Sequence, residues 1–167
     1  MKVGIISDTH DNMKAVEKAI EVFKKEGVDT IIHCGDMVAP FILKKFAGFK
    51  LYYVFGNNDG EKRLLIENCK KNGFTYEEQP LFLELGGKKL AVFHGFGNIE
   101  KTKKIIEIFA KSGEFDIIIY GHTHKIDIRE VGKTKIINPG ECAGVLTGVS
   151  TVGILDLDTL EYKKIEL

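Results

Sequence analysis

The chain has 167 residues, of which 44% are apolar and 29% charged, a composition typical of an ordinary globular domain. Its 24 basic and 24 acidic residues cancel, which argues against strong nucleic-acid binding or capture by an anionic membrane. Uncharged apolar stretches fall far short of the ~18 residues that a membrane span needs. We expect a single domain over residues 1–167.

The cysteines Cys34, Cys69 and Cys142 are widely spaced and form no CxxC pair. An odd number of scattered cysteines suits neither a disulfide framework nor a structural zinc site. The first residues, MKVGIIS, have the pattern of a strand and lack the layout of a signal peptide. We therefore expect reduced thiols and a cytoplasmic protein.

The first half of the chain alternates strands with helices. Apolar spacing predicts a helix over 11–26, with Asp11–Asn12 as its N-cap and Gly27 as its end. The other elements predicted in this half are strands at 2–7, 30–34 and 51–55 and helices at 40–46 and 61–72.

The second half begins in the same way and then changes to strands alone. Alternation followed by a run of strands predicts an α/β fold with a β-rich C-terminal part. The predicted elements are strands at 81–85 and 89–93, a helix at 99–112, and strands at 116–120, 126–131, 134–137, 149–155 and 161–166.

Five of these strands are followed at once by side chains that can bind a metal. In an open α/β sheet the loops beyond the strand C-termini share one edge, so these side chains would meet. A lone histidine after a strand is usually structural, but four of the five histidines fall at strand ends, whereas His33 lies inside a strand. The candidate donors are Asp8, His10, Asp36, Asn57, His94, His122 and His124.

The donor types indicate the chemistry. A closed tetrahedral zinc site takes four ligands, whereas these seven oxygen and nitrogen donors suit two ions that share a carboxylate. Such donors favour Mn²⁺ or Ni²⁺, with Fe, Co or Zn as alternatives. A metal pair ~3.5–4 Å apart is the usual device for displacement at phosphorus. The glycines beside these donors would permit tight turns and close backbone approach; they are Gly35, Gly56, Gly95 and Gly121.

The blocks SDTHDN, CGD, GNND, HG and GHTHK, in this order, resemble the calcineurin-like metallophosphoesterase superfamily. The short chain and the INPG block at 137–140 are similar to its small prokaryotic phosphodiesterase branch, which is related to the retromer scaffold subunit. The resemblance spans residues 7–140.

The resemblance implies a four-layer α/β/β/α sandwich of two mixed sheets, with a di-metal site at the strand C-terminal edge. Asp36 would bridge the ions, and Asp36, Asn57 and Asp59 are the candidate catalytic residues, with Asp59 supporting the site from behind. The implied ligands are Asp8, His10, Asp36 and His124 for one ion and Asp36, Asn57, His94 and His122 for the other.

Two positions depart from the family pattern. Many relatives carry a histidine where this chain has Asn58, and an amide cannot give a proton to a leaving group at neutral pH. Some relatives have a further histidine where this chain has Phe96, which predicts a more apolar pocket on that side. Lys62 and Arg63 could reach a substrate phosphate, but a plain helix surface is the preferred interpretation.

The leading hypothesis is a metal-dependent phosphodiesterase in which a metal-bridging hydroxide attacks the phosphorus of a small diester. One alternative is a protein-binding scaffold on the same fold with little activity. Others are a phosphomonoesterase and a nuclease; zero net charge and two arginines disfavour the nuclease. A homodimer is the preferred assembly.

Overall fold

A computed structural model of the protein describes all residues 1–167. The helices are α1 (Met13–Lys25), a 3-10 helix (Pro40–Phe46), α2 (Lys62–Asn72) and α3 (Ile99–Ser112). The strands are β1 (Lys2–Ile6), β2 (Thr30–His33), β3 (Lys50–Val54), β4 (Thr75–Glu77), β5 (Leu81–Leu85), β6 (Lys88–Val92), β7 (Ile117–Ile119), β8 (Asp127–Val131), β9 (Thr134–Asn138), β10 (Thr151–Asp156) and β11 (Tyr162–Glu166).

The strands form two mixed sheets. The first has six strands in the order β11-β10-β1-β2-β3-β4, and the second has five in the order β5-β6-β7-β9-β8. Strands β1 to β4 run parallel, as do β6, β7 and β9. The C-terminal strands are shared out, since β8 and β9 belong to the second sheet while β10 and β11 complete the first.

Side-chain alternation builds the layers. In β1, Val3 and Ile5 face the second sheet, whereas Ile6 packs under the helices of the first. In β7, Ile117 and Ile119 face the first sheet. Its Ile118 packs on the opposite face, in the cluster that contains residues of α3. Central strands covered on both faces have continuous apolar sequences. The expected α/β/β/α sandwich is confirmed.

Most predicted elements form within two residues of their expected bounds, with two exceptions. The segment 40–46 forms a 3-10 helix, and the strand Thr75–Glu77 was missed because three residues carry no readable alternation. Helix α1 begins after Asn12, whose side chain accepts a hydrogen bond from the Ala15 N–H at 3.2 Å. None of the helices has the length and apolar character needed to cross a bilayer.

Candidate metal centre

All seven predicted donors lie together at one edge of the sandwich. The loops after β1, β2 and β3 come from the first sheet, and the loops after β6 and β7 come from the second. The donors therefore meet at the C-terminal ends of parallel strands, as expected. These strands belong to two stacked sheets whose ends lie side by side, and not to one open sheet.

One group of donors comprises Asp8, His10 and His124, whose ligand atoms lie within 4.8 Å of one another. Asp8 Oδ1 is 3.4 Å from His124 Nε2 and 3.8 Å from His10 Nε2. The two imidazole rings stack with centroids 5.2 Å apart. Three donors thus converge on one point from the loops after β1 and β7.

A second group surrounds His94, which is almost fully buried at the end of β6. His94 Nε2 lies 2.9 Å from Asn57 Oδ1 and 3.2 Å from His122 Nδ1. This arrangement aims three donors from three different loops at a second point.

Asp36 lies between the two groups and presents a different oxygen to each. Its Oδ2 is 3.5 Å from His10 Nε2, and its Oδ1 is 3.4 Å from His94 Nε2. Asn58 donates to both oxygens, through its backbone N–H at 2.8 Å and its side-chain amide at 2.7 Å. Burial opposes ionisation of Asp36, yet the hydrogen bonds with His94 and Asn58 hold its pKa well below the usual range.

The ring orientation of three histidines fits metal ligands. Such histidines almost always bond through their second ring nitrogen to an acceptor, which leaves the first free for the metal. The acceptors observed are the Cys34 carbonyl, 2.8 Å from His94 Nδ1, the Gly97 carbonyl beside His122 Nε2, and Glu141 Oε2, 2.8 Å from His124 Nδ1.

Two buried polar atoms in the first group have no hydrogen-bond partner, namely Asp8 Oδ1 and His10 Nε2. A buried polar atom left unpaired costs about 1–3 kcal/mol, so such atoms are normally satisfied. A divalent cation between them would satisfy both. The residues present therefore fit divalent metal ions with oxygen and nitrogen ligands.

Several donor residues have a left-handed backbone conformation, which is strained and persists only where the surrounding structure enforces it. Non-glycine residues with left-handed backbone cost about 1–3 kcal/mol each and cluster at functional sites. Five of the seven donors have φ between 39° and 66°; they are Asp8, His10, Asp36, His122 and His124.

Close backbone approach explains two of the predicted glycines. A Cβ at Gly121 would lie 1.9 Å from Ser7 Oγ, and one at Gly56 would lie 2.2 Å from Asp36 Oδ1. Both distances are impossible for real carbon atoms, so any other residue would push the strand-end loops apart.

Asp59 holds two of the loops together. Its carboxylate accepts hydrogen bonds from the backbone N–H groups of Asp36 at 3.1 Å, Val38 at 2.7 Å and Gly56 at 2.6 Å. These contacts place it behind the site, where it supports the loops after β2 and β3.

Sequence reasoning missed two residues that orient the donors. Gln79 Oε1 accepts from the backbone N–H groups of His94 and Gly95 at 2.8 and 2.9 Å. No local pattern marks it. Glu141 accepts from His124, and it follows the end of β9 just as the predicted donors follow their strands. The strand-end rule, applied to one more strand, would have found it.

The remaining residues singled out in the sequence contact side chains other than the seven candidate donors. Lys62 pairs with Glu78 at 2.8 Å, and Arg63 pairs with Glu67 at 2.6 Å, both on the surface. The half-buried Phe96 packs edge-on against Phe93, with ring centroids 5.9 Å apart.

His33 is fully buried in β2 and satisfied, as expected for a core histidine. Its Nδ1 accepts from the Gly35 N–H at 3.2 Å, and its Nε2 lies 3.2 Å from Thr9 Oγ1. Burial lowers the pKa of His33 to about 3, so the ring is neutral in the folded protein.

Replacing His33 by Gln should change activity little, because glutamine keeps a donor and an acceptor and neither hydrogen-bond partner of His33, Thr9 and Gly35, is a candidate metal ligand. Unfolding free energy should fall by about 1–3 kcal/mol as ring packing is lost. In the wild type the unfolded chain binds a proton on His33 below pH 6.5, whereas the folded chain resists it down to about pH 3. The free energy of unfolding should therefore fall as the pH is lowered through this window, and it should fall less in the variant. Urea unfolding at several pH values measures this. If the free energy of unfolding falls equally with acid in the wild type and the variant, His33 is not buried in its neutral form.

Comparison with known sequences gives the family. The sequence model of the calcineurin-like phosphoesterase superfamily domain matches residues 1–160. A phosphodiesterase of Methanocaldococcus jannaschii is 42% identical over 170 residues, which cover 100% of this chain and 99% of the relative. Phosphodiesterase YfcE of Escherichia coli is 26% identical over 180 residues, which cover 96% of this chain and 90% of the relative.

Solved structures agree with the sequence matches. An archaeal phosphodiesterase superposes with a TM-score of 0.91 at 42% identity over 100% of both chains. A Vps29 variant from Entamoeba histolytica gives a TM-score of 0.73 at 18% identity, covers 100% of this chain and 99% of its own, and shares the fold. With the domain model matching nearly its whole length, the chain belongs to the calcineurin-like phosphoesterase superfamily.

Proposed function

We propose that this protein is a metal-dependent phosphodiesterase that hydrolyses small phosphodiesters. The observation that carries the proposal is the position of Asp36, whose two oxygens face His10 on one side and His94 on the other. A relative that is 42% identical over the whole chain is named a phosphodiesterase, which supports the same activity here.

The two donor groups support the ligand assignment in this proposal. Asp36 belongs to both sets, and Mn²⁺ or Ni²⁺ suits the nitrogen and oxygen donors best, with Fe, Co or Zn as alternatives. Two such ions, when bound, polarise phosphoryl oxygens and lower the pKa of a coordinated water. One ion would be held by Asp8, His10, Asp36 and His124, and the other by Asp36, Asn57, His94 and His122.

The chain's own residues divide the site into a buried wall and an open face. Asp8, Asp36 and His94 are buried, whereas Asn57 and Asn58 are exposed. A small diester can therefore approach from the Asn57–Asn58 side. Asn58 cannot supply a proton to the departing oxygen, so alcohols that leave readily as anions, such as phenols, should be favoured.

Metal content provides a direct test. Stripped protein reloaded with each candidate ion should bind about two divalent ions per chain, because two donor groups share Asp36. Elemental analysis by mass spectrometry measures the stoichiometry. A value near zero at saturating metal would favour the scaffold alternative.

Activity on a panel of esters completes the test. Nitrophenyl diesters should turn over faster than nitrophenyl monoesters in the reloaded protein, and chelator should abolish both activities. A reversed preference would favour a phosphomonoesterase. Cleavage of DNA ends in preference to small diesters would favour the nuclease, although zero net charge disfavours it.

The proposal also covers the cellular compartment and the assembly. All three cysteines are buried and unpaired, which suits the reducing cytoplasm. A single domain over residues 1–167 and a homodimer complete the proposal; size-exclusion chromatography with light scattering would measure the assembly.

A further inference from the structure

Glu141 is a buried carboxylate whose two oxygens both accept hydrogen bonds. Only 1% of the residue is exposed. Its Oε2 lies 2.8 Å from His124 Nδ1. Its Oε1 accepts from the backbone N–H groups of Leu146 at 2.9 Å and Thr147 at 2.5 Å, and from Thr147 Oγ1 at 2.7 Å. One oxygen thus serves a candidate metal ligand, and the other serves a loop.

The contact with His124 selects one form of the imidazole. An ionised carboxylate only accepts hydrogen bonds, so the proton of the neutral ring must sit on Nδ1. The lone pair then sits on Nε2, which lies 3.4 Å from Asp8 Oδ1 and faces the first donor group. The opposite tautomer would place a hydrogen where a metal ion has to bind.

The contacts of the other oxygen fix residues 144–149, which we name the rim loop. Its Val145 and Leu146 are 71% and 73% exposed, so packing against the core does little to hold them. The loop flanks a groove of about 280 Å³ that reaches His124. Three hydrogen bonds to one carboxylate oxygen therefore anchor the wall of a groove beside the metal centre.

We propose that Glu141 is a positioning residue that fixes His124 in its metal-binding tautomer and joins this ligand to the rim loop. The inference rests on the proposed function for the presence of the metal. Partners of this kind typically change metal affinity by about 10–100-fold when they are mutated.

Glu141→Gln separates the two halves of this role. The three donors of the rim loop require the oxygen of the new amide, which turns its NH₂ group toward His124 Nδ1. That nitrogen must then accept, so the ring proton moves to Nε2. We expect ¹⁵N NMR of stripped protein at alkaline pH to show the Nδ1–H tautomer of His124 in the wild type and the Nε2–H tautomer in the variant. Manganese affinity, measured by calorimetry, should fall about 10–100-fold.

Two variants control the experiment. Thr147→Val removes one rim-loop contact but spares His124, so the tautomer and manganese affinity should stay as in the wild type. Glu130→Gln makes the same chemical change at an exposed side chain. His124→Asn identifies the His124 signals among the five histidines. If Glu141→Gln does not fold, the wild-type tautomer still decides, because an Nε2–H ring would overturn the inference.

The outcomes distinguish this inference from the proposed function. Unchanged manganese affinity and tautomer in Glu141→Gln would overturn the role of Glu141 and leave the phosphodiesterase proposal standing. A different outcome would support the inference and overturn the proposed function. In it, the wild type binds manganese and shows the Nδ1–H tautomer when stripped, Glu141→Gln loses both properties, and the wild type hydrolyses no ester.

Discussion

Replacing Asp36 by Asn should abolish hydrolysis and loosen both metal ions at once. Asparagine keeps the shape of the side chain but removes its charge and replaces one of its two oxygens by an NH₂ group. One donor group therefore loses a ligand atom, and the other keeps only a neutral amide oxygen in place of a carboxylate oxygen. Removal of a single stabilising group at a catalytic centre typically costs ~10²–10³ in rate, and a shared carboxylate should cost at least that much. Elemental analysis should find fewer than one tightly held ion per chain, compared with about two in the wild type.

Asp29→Asn is the matched control, because it makes the same change at an exposed aspartate near the opposite end of β2. It should leave both metal content and turnover unchanged. An Asp36→Asn protein that still held two ions, or hydrolysed diesters at the wild-type rate, would show that Asp36 does not bridge the donor groups.

Replacing Asn58 by His should raise activity selectively on esters with poor leaving groups. Asn58 is exposed at the open face of the site, and its amide donates to Asp36 at 2.7 Å. An imidazole at this position would therefore lie beside the proposed reaction centre. A well-placed general acid contributes ~10²–10⁴-fold, and an imidazole on an unadapted loop should fall near the lower end. Alkyl diesters and phosphomonoesters should gain more than nitrophenyl diesters, whose leaving groups need no proton.

The measurement is kcat/KM across a graded series of leaving groups for the wild type and the variant. Asn58→Gln serves as the control, because it lengthens the side chain without adding a group that titrates near neutral pH. The plot for Asn58→His should be flatter than the other two. Parallel plots for all three proteins would mean that position 58 does not face the leaving oxygen, or that another group already protonates it.

The fold could be predicted largely because its central strands are buried on both faces. Runs such as Ile117–Ile119 have no polar interruption, and the glycines and helical repeats between the runs punctuate the chain clearly. The short strand Thr75–Glu77 could not be predicted, because its pairing with β3 depends on a neighbour distant in sequence. The division of the last four strands between two sheets likewise depends on tertiary pairing.

The clustering of the seven candidate donors was predictable because metal chemistry restricts residue types and strand ends restrict positions. The residues that orient them were less so. Gln79 acts through its contacts with the backbone of His94 and Gly95, and such a contact leaves no trace in sequence spacing. The hydrogen bond from the side-chain amide of Asn58 to Asp36 was also not predicted. The sequence indicated only that this amide cannot give a proton to a leaving group.

The pairing of β1 with β10 bears on how the protein emerges from the ribosome. Strand β1 is synthesised long before Thr151–Asp156, one of its two neighbours in the sheet. The carbonyls of Ser7 and Asp8 likewise accept hydrogen bonds from the N–H groups of Cys142 and Ala143, which are synthesised much later. A nascent chain therefore carries the candidate donors Asp8 and His10 long before it can close the sheet beneath them. Closure of the sheet beneath the candidate centre therefore depends on a pairing between segments far apart in sequence, and such pairing is intrinsically slow.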